Sequence, residues 1–249
     1  MKKKKLKIIL ASITGGIIVL LLIFMLSIGF IVKGGIKMVL PKITGTPCDI
    51  GFCIFNPFAG SVSLNNFQIG NPEGYAKKNA FKLGNLVVDI GLSSLMSDKI
   101  VIEEITIDGM IVDFEAKLTE TNLTVIKGNV DKFTKKDATA QEEGNEKESS
   151  GTNKKFQIDK FSFINSKVII GVAGKTVEVP LTDINIEGIG TSSEGATIGE
   201  VANKVFEAIY KSSSEAALKS GIDIGSVSKE QANKLIEGVK GLFNGSKKE

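Results

Sequence analysis

Ser61-Val62-Ser63-Leu64-Asn65-Asn66-Phe67-Gln68-Ile69-Gly70-Asn71-Pro72-Glu73-Gly74 decides the fold class. Val62 and Leu64 alternate with polar neighbours, the period of two that sends one set of side chains to one face of a strand. After Asn65-Asn66 the phase moves to Phe67 and Ile69, which reads as a bulge within one strand. Asn71-Pro72-Glu73-Gly74 then supplies the Pro and Gly of a turn.

The same pattern repeats downstream. Phe81 and Leu83 precede Leu86, Val88 and Ile90 with a phase slip, and Ile100 and Ile102 give way to Ile105 and Ile107 across Glu103-Glu104. Asp108-Gly109 turns the chain into Val112, Phe114, Ala116 and Leu118, interleaved with Asp113, Glu115 and Lys117. Four short strands joined by turns predict an antiparallel meander with one apolar face, and the slips predict a curved sheet. Apolar residues nearly vanish over 130–155, which reads as a disordered charged loop inserted within the domain. Phe156, Ile158, Phe161 and Phe163 resume the strand pattern, and Ile184, Ile186 and Ile189 close it, so the β domain is placed at 61–190.

Past Gly190 the period becomes 3.6 and 191–249 reads as amphipathic helices. Thr197 and Glu200 form a capping box ahead of Ile198, Val201, Val205 and Ile209. Ser228 and Gln231 form another ahead of Leu235, Ile236, Val239, Leu242 and Phe243. Such helices can lie on the sheet, rest on a membrane surface or plug a groove.

Ahead of the β domain, Lys2, Lys3, Lys4, Lys5 and Lys7 make a basic tail over 1–7. Ile8 to Val32 is an uncharged stretch of Ile, Leu, Val, Phe and Met long enough for a membrane helix of about 20 residues, and longer than a signal-peptide core. The lysine asymmetry keeps the N-terminus cytoplasmic and puts the bulk of the chain outside the cytoplasm. The segment 33–60, punctuated by Gly34, Gly35, Pro41, Gly45, Pro47 and Pro57, reads as a tether. Within it, the C-x4-C pair Cys48 and Cys53 permits a local disulfide in an exported segment.

Composition excludes more than it includes. The 249 residues, 42% hydrophobic and 24% charged, suffice for a core, yet His, Trp and Arg are absent and all 31 basic residues are Lys. Without His there is no triad, imidazole ligand or imidazole base, and without Arg no bidentate phosphate clamp. Removing the five lysines of the tail leaves 26 against 28 acids, so no basic face for nucleic acid is expected. Asp113 and Glu115 share one strand face at a separation glycosidase carboxylates use, but Lys117 continues the row and the natural reading is a solvated outer face. Gly188-Ile189-Gly190 fails the phosphate-loop spacing because the next glycine is Gly195. The chain reads as a non-enzyme, with no metal and no cofactor.

Taken together, the Lys-rich start, the apolar helix, Ser61–Tyr75, Phe81–Ile90, Leu92–Gly109, Asn122-Leu123, Phe156–Phe161 and Leu181–Gly190 resemble the bacterial AsmA-like envelope proteins, over most of residues 1–220. The resemblance implies a mainly β protein with an N-terminal transmembrane helix, a curved antiparallel sheet forming an apolar groove, and C-terminal amphipathic helices. It also implies a single-pass position in the bacterial inner membrane with the domain in the periplasm, and lipid handling or transport. Phospholipid acyl chains would then be partners, with envelope proteins or self-assembly making up for the short β region. Phe67, Val88, Ile107, Val112, Phe114, Phe161 and Phe163 are the lipid-facing candidates. A second resemblance, to the LEA-type β-sandwich, implies instead a closed core and an interaction module. Burial or exposure of Phe67, Phe114, Phe161 and Phe163 separates the two.

Overall fold

The computed structural model describes residues 2–117, 120–142, 154–172 and 175–220. The chain opens with α1, Lys2–Thr44. Gly45, at φ +70°, ends it by donating its N–H to the Pro41 carbonyl at 2.9 Å. Strands β1 (Cys48–Asn56), β2 (Ser61–Gly70) and β3 (Asn79–Ile90) follow as an antiparallel meander. A 3₁₀ turn, Leu92–Met96, leads to β4 (Lys99–Asp108) and β5 (Ile111–Glu115). Helix α2 (Asn122–Glu142) separates these from β6 (Lys155–Ile164), β7 (Lys167–Val172), β8 (Lys175–Pro180) and β9 (Ile184–Ile189), and α3 (Ile198–Lys219) closes the described chain.

The sheet is mixed, which corrects the mainly β, wholly antiparallel expectation to an α/β fold with nine strands among the described residues. β4 runs parallel to β6 and β5 parallel to β7, and parallel neighbours need a crossover that a hairpin cannot provide. That crossover contains α2, in the region expected as a loop over 130–155. Its apolar residues sit early, with Leu123, Ile126 and Val130 fully buried at helical spacing, while Lys132, Lys135 and Lys136 face outward and Asp137 is buried against α3. Residues 143–153 of that loop, and the second capping box at Ser228 and Gln231, lie outside the described residues.

Among the described residues no helix is long and apolar enough to cross a membrane. This corrects the transmembrane span Ile8–Val32, and with it the inner-membrane location, the cytoplasmic-to-periplasmic topology and the lipid-transport terms. The apolar run is drawn on by the β domain instead. Ile28, Val32, Ile36, Val39, Leu40 and Ile43 form one stripe of α1 against the core. The expected tether at 33–60 is thus the end of α1 followed by β1, not a loose connection. Cys48 and Cys53 are free thiols on that single strand, about 16 Å apart by strand rise and beyond the roughly 7 Å Cα limit of a disulfide.

The phase slips have a common cause. The register carries Gly51 opposite Asn66, Asn66 opposite Gly84, Gly84 opposite Gly109, and Gly109 beside Asn165, one crease across the ribbons. Asn66, Gly109 and Asn165 take φ of 54°, 71° and 51° there, the left-handed conformation that Gly and Asn tolerate best. Pairing continues through the crease, with Gly109 N–H donating to the Ile164 carbonyl at 3.1 Å and Lys167 N–H to the Met110 carbonyl at 2.9 Å. Each strand therefore changes its inward set at the crease without losing its partner. The Glu103-Glu104 slip is separate: Asp89 pairs Glu104 while Ile90 pairs Ile102, leaving Glu103 as a bulge.

The core lies between the creased sheet and the helices. Phe206, Ile209, Tyr210, Ala216 and Ala217 of α3 join the buried residues of α2 and the sheet, and Phe206 meets Phe81 edge-on with centroids 5.8 Å apart. The Thr197–Glu200 box forms in full, Glu200 N–H donating to Thr197 Oγ1 at 3.1 Å and Thr197 N–H to Glu200 Oε2 at 2.7 Å.

Candidate functional site

The seven residues expected to face lipid are brought together, but inside. Phe67, Ile107, Val112, Phe114, Phe161 and Phe163 are buried and Val88 is half-buried, packed with residues of α2 and α3. Phe161 and Phe163 have ring centroids 4.8 Å apart within this core. The four discriminating phenylalanines are thus covered, by helices rather than by a second sheet.

The carboxylate pair is not a solvated row. Asp113 is 3% exposed, and burial pushes its pKa up, against the opposing pull of Lys82 and Lys77. Glu115 is the fastening point of the turn between β2 and β3. It accepts from Asn71 Nδ2 at 3.0 Å, Ala76 N–H at 2.8 Å and Lys77 N–H at 2.7 Å. Asn122, fully buried, donates from Nδ2 to Asn71 Oδ1 and to the Asp113 carbonyl at 2.7 Å each, and accepts from Glu115 N–H at 3.0 Å. Beside them Lys117 Nζ stands 3.9 Å from the Tyr75 ring centroid. Desolvation, then the nearby Glu120 carboxylate, pushes the Tyr75 phenol up to about 12. Both carboxylate oxygens of Glu115 are committed to structure, so Glu115 holds the turn rather than standing as a free base. Among the described residues no group of three His, Cys, Asp or Glu is placed to hold a metal.

The unexplained feature is at the other end of the strands. Phe58, in the β1–β2 turn, is 83% exposed and Met96, in the 3₁₀ turn, is 95% exposed. Leu92 and Leu95 are exposed beside Met96. The two turns touch: Ile90 N–H donates to the Gly60 carbonyl at 2.9 Å, and a Cβ on Gly60 would lie 3.1 Å from Leu92 Cγ. Phe52 and Ile54 add exposed apolar surface on the outer face of β1. Sequence reasoning passed over this end because Leu92, Leu95 and Met96 sit between strands with no periodicity, and Phe58 follows a proline in a presumed tether. The available signal was apolar residues placed in turns, where polar ones are usual.

No protein-family model matches the chain, and no curated protein matches it.

Proposed function

We propose that the chain is a non-catalytic docking module with a closed core, whose working surface is the apolar end formed by Phe58, Leu92, Leu95 and Met96. The observation that carries this reading is the division of apolar side chains. Those suited to a groove are spent on the core, whereas among the described residues outside α1 four of the seven large exposed ones, Phe58, Leu92, Leu95 and Met96, gather where two turns meet. A closed core and a committed Glu115 support binding over turnover.

The full chain tests it through stability. Phe161→Ser and Phe114→Ser are expected to cost about 3–5 kcal/mol, the cost of emptying a packed core site. Phe58→Ser and Met96→Ser should stay within about 0.5 kcal/mol, as exposed positions do. Denaturant unfolding reads both. A Phe161→Ser chain as stable as the parent would mean an open groove and would overturn the closed-core reading.

A further inference from the structure

We propose that the surface this end docks on is a phospholipid layer, touched from outside by the two turns; the proposal rests on the docking-module reading above. Three observations favour lipid over a protein groove.

The first is how the tip is built. Buried Ser94 organises the 3₁₀ turn: its Oγ donates to the Gly91 carbonyl at 2.6 Å and accepts from Val101 N–H at 2.8 Å. Ser97 Oγ donates to the Ser94 carbonyl at 2.6 Å. The Ser94 and Ser97 hydroxyls are thus satisfied inward while Leu92, Leu95 and Met96 are held outward. An apolar tip held outward in this way suits a fluid layer that closes around it, because no complementary cleft is needed.

The second is continuity. Gly29, Lys33 and Lys37 of α1 lie against Cys53, Gly51 and Asp49 of β1, so the helix runs antiparallel to the strand. Four helical residues advance about 6 Å and two strand residues about 6.6 Å, so α1 passes the β1–β2 turn and continues beyond it on the Phe58 side. There Ile13, Ile17, Ile18, Val19, Leu20 and Ile23 are exposed. Apolar surface on the helix thus leaves the body at the same end as the tip.

The third is charge. Lys154 Nζ donates to the Ser97 carbonyl at 2.6 Å and Lys99 Nζ to the Ser192 carbonyl at 3.4 Å, which places two ammonium groups behind the tip, alongside Asp98 and the Glu103 carboxylate, whose Oε1 would lie 3.6 Å from a Cβ on Gly91. The two lysines are the groups placed to meet headgroup phosphates that lie above the acyl chains.

The chain contains no Trp, so a single introduced indole is an unambiguous reporter. Phe58→Trp and Met96→Trp versions of the full chain are mixed with vesicles of phosphatidylcholine and phosphatidylglycerol carrying brominated acyl chains. Glu73→Trp, in the turn at the opposite end of the strands, is the control. The expected result is a blue shift and bromine quenching at positions 58 and 96 and neither at 73, with binding about tenfold weaker when Lys99 and Lys154 are both Gln. If the chain sediments with vesicles while both tip indoles stay in water, only α1 meets lipid and the proposal falls. A blue shift that appears without vesicles and grows with protein concentration would instead make a second copy the occupant, again overturning it. Absence of any vesicle binding removes lipid as the partner but leaves the docking module standing, since that reading is tested separately by the stabilities of Phe161→Ser and Phe58→Ser.

Discussion

Lys33 donates from Nζ to the carbonyl oxygen of Gly51 at 2.8 Å, a helix side chain satisfying an acceptor of β1. One turn to each side, Lys37 Nζ meets Asp49 Oδ1 at 2.8 Å, and Gly29 lies so close that a Cβ there would run into the Cys53 carbonyl oxygen. Among the described residues β1 has only β2 as a strand neighbour, so its other edge is a template for unwanted pairing. The near match between four helical and two strand residues lets α1 cover that edge along its length.

Gly29→Val should therefore lift α1 off β1. The expected cost is about 1–3 kcal/mol, because the obstruction is strand backbone that cannot rotate aside. Burial pushes both the Cys48 and Cys53 thiols up in the parent. Their reaction with a thiol reagent should be slow in the parent and faster in the variant, and unchanged thiol kinetics would show that α1 does not rely on this approach.

Glu115→Ala removes the acceptor of three hydrogen bonds from the β2–β3 turn. A loss of about 2–4 kcal/mol is expected, with faster hydrogen exchange at the Ala76 and Lys77 amides. Glu115→Gln keeps one acceptor oxygen and should fall between the two. Equal protection of Ala76 in the parent and in Glu115→Ala would sink this assignment.

Asp113 is penalised for being charged. Its folded-state pKa is raised by burial above the ordinary carboxylate value, so in that window the folded chain holds more protons than the unfolded one and stability increases as pH falls. Lys82 and Lys77 oppose the shift and Glu115 adds to it. Asp113→Asn should raise Tm at pH near 7 and lose that advantage below about pH 4, where the parent residue is protonated in both states. A lower Tm for Asp113→Asn at neutral pH would reverse the sign and refute the account.

The two helices are joined through Gly199. Its N–H donates to Asp137 Oδ2 at 3.2 Å, its carbonyl accepts from Thr134 Oγ1 at 3.0 Å, and a Cβ would lie 3.0 Å from Thr134 Cα. Asp137 brings a carboxylate to the positive end of α3. Gly199→Ala is expected to cost about 1–3 kcal/mol by forcing α2 and α3 apart, although Ala is the better helix former. A more stable Gly199→Ala chain, read by thermal unfolding, would show that propensity outweighs the close approach.

Much of the architecture was legible. The alternation at Val62, Leu64, Phe81, Leu83, Phe161 and Phe163 is a local property of the strand, and so is the capping box at Thr197 and Glu200, whose partners are three residues apart. What could not be read were relations between distant segments. Asn122 looks like any polar residue until Asn71, Asp113 and Glu115 close around it. Asp113 and Glu115 alternate as an outer face should, and only the folded-over turn 71–78 supplies the partners that engage Glu115.

The sequence by itself determined the strands β2 to β6, where they change face, and which of their apolar residues share a face, because period, turn chemistry and left-handed Asn or Gly positions act within a few residues. Only the tertiary structure decided that those changes line up as one crease, that α2 carries a parallel crossover, that helices cover the apolar face, and that part of the N-terminal apolar run serves the edge of β1. Those outcomes depend on register and packing between residues far apart in the chain, where each group's partner is set by the space the others leave.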